Sequence, residues 1–540
     1  MDSPGGELGF SSAFVPTPID VANIQELARS GVCPMNSQLS KLRTTMAAAP
    51  AELDRYDADI ERLRRALSRL TSERSVLASY TDFCRSVLSP IQRLPNELLA
   101  DIFDFCLPDD LYVIFASTTD DEVDRLVRRY LLQLGQVCTR WYRVAMDTPK
   151  LWSTIAVDTE VWKWSFIGDA RLAALLESSL TRGRNSPLTL HLGISNRDSD
   201  VVVIESLLEH AHRWKNVFVS SSGAPCVALS SAMISLDQLE MLDLNVDSWG
   251  RLPAFQNAPR LRYLAFSGYV RDLPLLPWTQ IKTIVYDSHD TAGPRYSPLS
   301  VLNRAPQCTS GTFYLDLREC PPHEPWDVDI KSGVNQLHFQ LLVSEGDDAV
   351  VANLFDALTL PNLEALEIYP SDGTSPPIWS STHLLALVER SGFDSCLTWL
   401  AIRAVVSDEE LLRCLRALPK LERLFFTECG SSPTSFSTTI TDNFLRGLFL
   451  VPNIASVIPK LRLLSLRCGL GFSDSVYADL LASRARLFDG KSAFGANLWW
   501  FGPRKREFSV EAMERINQLV LDGGIIFNTG EYNPAVHDSD

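Results

Sequence analysis

What this 540-residue sequence lacks narrows the reading first. No run of about 18 uncharged apolar residues occurs, so no membrane-spanning helix is expected. The start, MDSPGGELGF, has neither the basic residues nor the apolar core of a secretory signal. No C-x-x-C pair is present, and no Asn-x-Ser/Thr sequon; Asn185-Ser186-Pro187 does not fit the pattern. The 11 cysteines are scattered and odd in number, and Cys106 and Cys138 sit among apolar neighbours. Reduced thiols in a cytoplasmic or nuclear protein are the expectation. Positive charge is also short: the net charge is −16 and the isoelectric point is near 5.1. A broad nucleic-acid surface is therefore not expected.

Catalytic constellations are missing as well. There is no G-x-G-x-x-G after a strand, no H-E-x-x-H and no G-x-S-x-G. Gly490-Lys491-Ser492 echoes the end of a phosphate-binding loop, but Ala485 stands where its leading glycine belongs. Cys320-Pro321-Pro322-His323 has a zinc-like spacing without a second pair. Asp327-x-Asp329-x-Lys331 resembles a calcium loop only at its start, because Lys331, Ser332 and His338 occupy ligand, turn and closing positions. His210 and His212, two apart, point to different faces of a helix. No cofactor, no metal and no intrinsic catalytic site are expected.

What is present is an ordinary globular balance, 46% hydrophobic and 21% charged. At this length several structural units are expected. The most telling stretch is Ser89–Pro108, SPIQRLPNELLADIFDFCLP. From Leu98 the apolar residues Leu98, Leu99, Ile102, Phe103, Cys106 and Leu107 fall at steps of one and three. That spacing lays two adjacent columns on one helical face. Pro95 suits a first helical turn, Glu97 the positive end of the helix dipole, and Pro108 a stop. Six such side chains would gain on the order of 10 kcal/mol if fully buried, as an upper bound. They need a cover, either this chain or another.

From about Val123 to Met146 helical periodicity returns, with Leu134, Val137, Cys138, Trp141 and Ala145 on one face. Thr148-Pro149 ends it, and Lys150-Leu151-Trp152 follows. The block L-P-x-E-L-L-x-x-I-F, a Leu-Pro end, and later Val137-Cys138-Thr139-Arg140-Trp141 resemble an F-box. The resemblance implies a small helical module over residues 89–157 that docks on the Skp1 adaptor of a cullin-RING ubiquitin ligase complex. By that resemblance the docking residues are Leu94, Pro95, Leu98, Leu99, Ile102, Phe103, Leu107, Val137, Cys138 and Trp141. Trp152 is expected in the core at the junction. Residues 108–122, an irregular connector with an apolar patch Leu111–Ala116 between acidic ends, depart from the pattern as an insertion. The plain alternative for Leu98–Leu107 is an ordinary core helix.

Upstream, residues 1–36 have no clear periodicity and read as disordered. A heptad follows over 37–82: Leu39, Met46, Leu53, Ile60 and Leu67 interleave with Leu42, Ala49, Tyr56, Leu63, Leu70 and Leu77. Pro50 interrupts it, so the firm helix is expected from Pro50 to about Tyr80. The seam Leu53, Tyr56, Ile60, Leu63, Leu67 and Leu70 fits either a homodimer or packing within the chain.

Downstream, residues 158–540 repeat L-x-x-L-x-[L/I/F] loosely. The units begin at Leu239, Leu261, Ile281, Leu363, Leu397, Leu421 and Leu461, with weaker copies at Trp214 and Val334. Helix-like stretches separate them: 169–182, 200–212, 349–358, 382–390 and 408–418. A strand then a helix, roughly every 20–40 residues, predicts an α/β leucine-rich-repeat-like solenoid. Its spacing is irregular, and only Cys429 occupies the usual Asn/Cys turn position. A different α/β sheet would give similar strand patterns. After Leu466 come a helix (474–487), Trp499-Trp500-Phe501 with Arg504-Lys505-Arg506, and a final helix and strand (510–527). Those aromatic and basic residues read as a capping unit or as a partner-binding or nuclear-import patch. The expectation for the whole is an adaptor that holds a target protein on its repeat domain; the alternative is a repeat scaffold acting without a ligase.

Overall fold

The computed structural model describes residues 18–106, 113–114, 133–158, 169–194, 198–221, 229, 234–246, 253–267, 275–287, 298–318, 329–371, 374–429, 439–451, 456–485, 493–500 and 508–531. The chain divides into two compact units, Met1–Leu99 and Ala100–Asp540.

The first unit is helical. Pro18–Ser30 forms a helix inside the segment expected to be disordered. Its apolar residues Val21, Ile24 and Leu27 recur every three positions, enough for one narrow stripe. The next helix, Asn36–Leu88, has 53 residues. At 1.5 Å per residue it is about 80 Å long. It starts well before the expected Pro50 and ends beyond Tyr80, with Pro50 inside it. The correction has a simple reason: Ala47, Ala48 and Ala49 before Pro50 are strong helix formers. Ion pairs such as Arg62–Asp59 at 3.2 Å and Arg65–Glu61 at 3.6 Å line its surface. No residue of this helix is buried.

The second unit is built on one large parallel sheet. Its strands are β1 (Val113–Ile114), β2 (Thr154–Asp158), β3 (Leu188–Ile194), β4 (Trp214–Ser221), β5 (Met241–Val246), β6 (Tyr263–Ser267), β7 (Thr283–Asp287) and β8 (Ser310–Asp316). A short pair, β9 (Ile330–Lys331) and β11 (Leu358–Thr359), stands apart. The sheet continues through β10 (Gln336–Leu342), β12 (Ala365–Pro370), β13 (Trp399–Ala404), β14 (Arg423–Glu428), β15 (Leu463–Cys468), β16 (Phe494–Trp500) and β17 (Ile525–Glu531). All fifteen of its strands follow in chain order, each paired with the next. β1 lies in the stretch expected to be an irregular connector; Val113 and Ile114, both β-branched, pair in parallel with Ile155 and Ala156.

The leucine pattern explains the sheet. In β5, β6, β7, β10 and β12 to β15 the second and third apolar positions of each repeat unit, such as Leu242 and Leu244 or Leu424 and Phe426, are buried on one face. Their two-residue step puts them on the same side of a pleated strand. In-register pairing lines up Phe266, Tyr286, Phe313 and Phe339, with ring centroids 5.1, 6.4 and 5.9 Å apart. Helices 349–356, 381–391, 408–416 and 474–485 contribute Leu354, Leu384, Leu411 and Leu480 to the same core. One continuous hydrophobic core therefore runs from Ile155 to Ile525.

Two polar devices join successive strand–helix units. The first is a chain of Ser/Thr-Asp pairs at helix starts. Thr441 Oγ1 donates to Asp408 Oδ2 (2.7 Å), Ser473 Oγ to Asp442 Oδ2 (2.8 Å), and Ser509 N to Asp474 Oδ2 (2.8 Å). Each acid also sits at the positive end of its own helix. The second is an arginine that satisfies carbonyls of the preceding strand–helix unit. Arg484, fully buried, donates to Leu448 O, Ile458 O and Val457 O. Arg390 donates likewise to Leu358 O and Phe355 O, and Arg213 to Ser186 O and Leu180 O. Burial pushes the Arg484 guanidinium down to about 10, still charged at neutral pH.

Candidate docking surfaces

Three surfaces present side chains that the core does not use. On the first, a 3-10 turn, Pro90–Arg93, leads into the helix Asn96–Cys106. Pro95 precedes this helix, and its carbonyl accepts the Leu99 amide at 3.1 Å. The two apolar columns behave differently. Leu99 and Phe103 are wholly buried, whereas Leu98 is 50% exposed and Phe105 89% exposed. Leu94 and Ile102 are half-buried and Pro95 is exposed. Leu98, Ile102 and Phe105 are spaced four and three apart, so they continue one column along the helix. Leu107 lies outside the described residues.

The second block, expected as one helix, is broken at Cys138. Residues 133–137 are helical, Cys138 is extended (φ −163°, ψ 169°), and a second helix spans Thr139–Asp147. The thiol does the capping: Cys138 Sγ accepts the Trp141 amide at 3.5 Å. Sulfur is a weak acceptor, which is why no ordinary capping signal marks this boundary. Trp141 is half-buried with its ring 5.0 Å from that of Phe103. Val137 and Tyr142 are exposed.

The segment Pro149–Trp152 closes this part. Leu151 and Trp152 are buried, and Trp152 Nε1 donates to Ala145 O at 2.9 Å. Lys150 Nζ bonds Asp104 Oδ2 at 2.5 Å, and that bond and the carboxylate charge raise the Lys150 amine above its usual range.

Residues 91–158 match the F-box-like family model. No curated protein matches the chain. The F-box-like region holds every docking residue read from the sequence, and it divides them: Leu99 and Phe103 lie inside, while Leu98 and Val137 lie outside. Sequence reading passed over Phe105 and Tyr142, both exposed aromatics. Phe105 was recoverable, being seven residues after Leu98 and three after Ile102.

The second surface is the heptad seam of Asn36–Leu88. Leu53, Tyr56, Ile60, Leu63, Leu67 and Leu70 are all exposed, from 36% at Tyr56 and Leu63 to 67% at Leu67.

The third is the sheet face opposite the core. Along β7, β8, β10, β12 and β13 it presents Val285, Thr312, His338, Glu367 and Ala401 in register. His338 Nδ1 and Glu367 Oε2 are 2.9 Å apart, and the His338 ring lies between Tyr314 (6.4 Å) and Tyr369 (5.4 Å). A depression of ≈ 440 Å³ opens here, lined by Tyr314, His338, Glu367 and Trp399 among others. His191 stacks on Phe218 at 4.1 Å, and burial pushes its imidazole down to about 4, so it is neutral at pH 7.

Among the described residues no group of three His, Cys, Asp or Glu is placed to hold a metal, and no helix is long and apolar enough to cross a membrane. The residues 320–323, Asp327, 490–492 and 501–507 singled out above lie outside the described residues.

Proposed function

We propose that this chain is the substrate-recognition subunit of an SCF-type cullin-RING ubiquitin ligase. The F-box-like match over residues 91–158 carries this reading. Leu98, Ile102, Phe105, Val137 and Tyr142 supply apolar contact to a Skp1-like adaptor; Leu94, Pro95, Cys138 and Trp141 complete it. Leu99, Phe103 and Leu107 belong to the docking set named by the resemblance, and the buried Leu99 and Phe103 hold the exposed column in place from below. The parallel sheet with its helices, read as a leucine-rich-repeat-like solenoid, holds the target protein. Such a chain has no catalytic site of its own and contributes proximity. It works in the cytoplasm or nucleus.

A pulldown with Skp1 tests the assignment. Leu98→Asp with Ile102→Asp should abolish capture while the melting curve stays close to wild type. Unchanged capture would overturn it.

A second reading, a repeat scaffold without a ligase, is favoured by the exposed heptad seam. There the helix Asn36–Leu88 would pair with a second copy as a coiled coil. Sedimentation of the Ile60→Asp, Leu63→Asp chain against wild type measures this; equal masses would remove the homodimer.

A further inference from the structure

The open face of the sheet is charged unevenly along its length. From β3 to β8 its charged side chains are Asp243, Asp287 and Asp316, the last engaged by Arg318 at 2.7 Å. From β13 to β16 they are Arg403, Arg423 and Arg467. Between the halves stands the His338–Glu367 pair. Glu422, just before β14, is engaged by Arg462 at 3.7 Å, and Glu364, before β12, accepts from Asn335 at 3.0 Å. For a chain of net charge −16, a region whose open-face charges are all positive runs against the average.

Aromatic rings accompany these arginines. Trp399 and Phe425 stack at 4.8 Å with planes 22° apart, and the Arg423 guanidinium lies 5.2 Å from the Trp399 ring centre. In register, Arg403, Thr427, Arg467 and Trp499 form one row across β13 to β16. Arg403 and Arg467 are two strands apart, on the order of 10 Å. An extended chain covers that span in about three residues. The depression lined by Tyr314, His338 and Trp399 adjoins the Trp399 end.

We propose that this part of the sheet docks an acidic peptide segment of the target protein, with Arg403, Arg423 and Arg467 meeting its Asp or Glu carboxylates. Trp399 and Phe425 supply a flat surface for an apolar or aromatic neighbour, which the adjoining depression can also accept. The arginine fork suits carboxylates bidentately. A nucleic acid is the poorer fit, since the phosphate backbone would meet a chain of strongly negative net charge and the acidic half of the same face. The inference rests on the reading of the sheet as the target-holding part, and is independent of adaptor docking.

The test selects random 12-residue peptides displayed on phage against the full-length chain. Enrichment of Asp and Glu near an aromatic residue is expected. A synthetic copy of the strongest selected peptide should bind Arg403→Gln, Arg467→Gln at least about tenfold more weakly, one such step corresponding to 1.4 kcal/mol. Binding should weaken with added salt as the charges are screened. Asp243→Asn, Asp287→Asn, on the acidic half, should leave affinity within about twofold. Thermal melting and Skp1 capture of each variant separate misfolding and loss of the adaptor assignment from loss of this site. Uncharged or basic selected peptides, no enrichment, or unchanged affinity in the folded double-arginine variant would each overturn the proposal.

Discussion

The helix Asn36–Leu88 and the fifteen-stranded sheet are both rich in leucine, yet they spend it in opposite ways. Along the helix Leu53, Leu67, Leu70 and Leu77 are exposed and no residue is buried. In the sheet Leu242, Leu264, Leu366, Leu424 and Leu464 are all buried at 0–1% exposure. A heptad gives one element a single stripe and no neighbour within the element to cover it. A two-residue step gives each strand an apolar face that the next strand in the sheet extends, so the packed helices can cover it as one continuous core. Apolar periodicity therefore says which side chains need cover, while connectivity says whether the chain itself can provide it.

The comparison breaks most visibly in the sheet core. Phe426→Ala should cost about 3–5 kcal/mol of stability by denaturant titration, because a close-packed site keeps much of the cavity. Ile60→Asp with Leu63→Asp, by contrast, should leave the sheet's unfolding transition where it is. Next comes Arg484→Ala, which strands the carbonyls of Leu448, Ile458 and Val457 in the core and should cost about 2–3 kcal/mol. Asp442→Ala removes two bonds to Ser473 and should cost about 1 kcal/mol, read in the same titration.

A pH effect sharpens the picture further. Burial pushes the Asp408 carboxyl up, but hydrogen bonds from Thr441 and Asn443, helped by backbone amides, outweigh it and hold the group below its usual 3.8. A depressed carboxylate stabilises above its unfolded value, and that contribution is lost as pH falls below it. Denaturant midpoints should therefore drop as the pH is taken below 3.8, and Asp408→Asn should flatten that part of the slope. The smallest effect belongs to the exposed helix: Arg65→Ala, deleting one end of the 3.6 Å pair with Glu61, should change the melting temperature by the equivalent of about 0.5 kcal/mol or less.

Much of the sheet was legible. The nine L-x-x-L-x-[L/I/F] units all coincide with strands, and 169–182 was located to the residue. Strands β3, β8, β16 and β17 were missed as repeats because they lack the leading leucine. Thr189-x-His191, for instance, alternates with Leu190 and Leu192 but has no L-x-x-L entry to the strand. A sharper repeat signal stood in the sequence unread: Ser407-Asp408, Thr441-Asp442 and Ser473-Asp474 begin three successive helices at spacings of 34 and 32 residues. Ser407 and Thr441 cap their own helices, and the aspartate of each dipeptide accepts a bond from the start of the next helix. At the F-box-like region the apolar columns were legible, but the break at Cys138 was not, because a thiol acceptor is a rare cap.

The sequence by itself determined which residues had to leave water, where the leucine-led strands fall, and that residues 94–141 carry an F-box-like pattern, since periodicity and turn chemistry act locally. Tertiary structure alone decided which of two adjacent columns, Leu99–Phe103 or Leu98–Ile102–Phe105, goes inside, and that arginines and aromatic rings from separate strands meet on one sheet face. Those outcomes depend on strand register and on what packs against each helix, and residues 30 or more positions apart settle both.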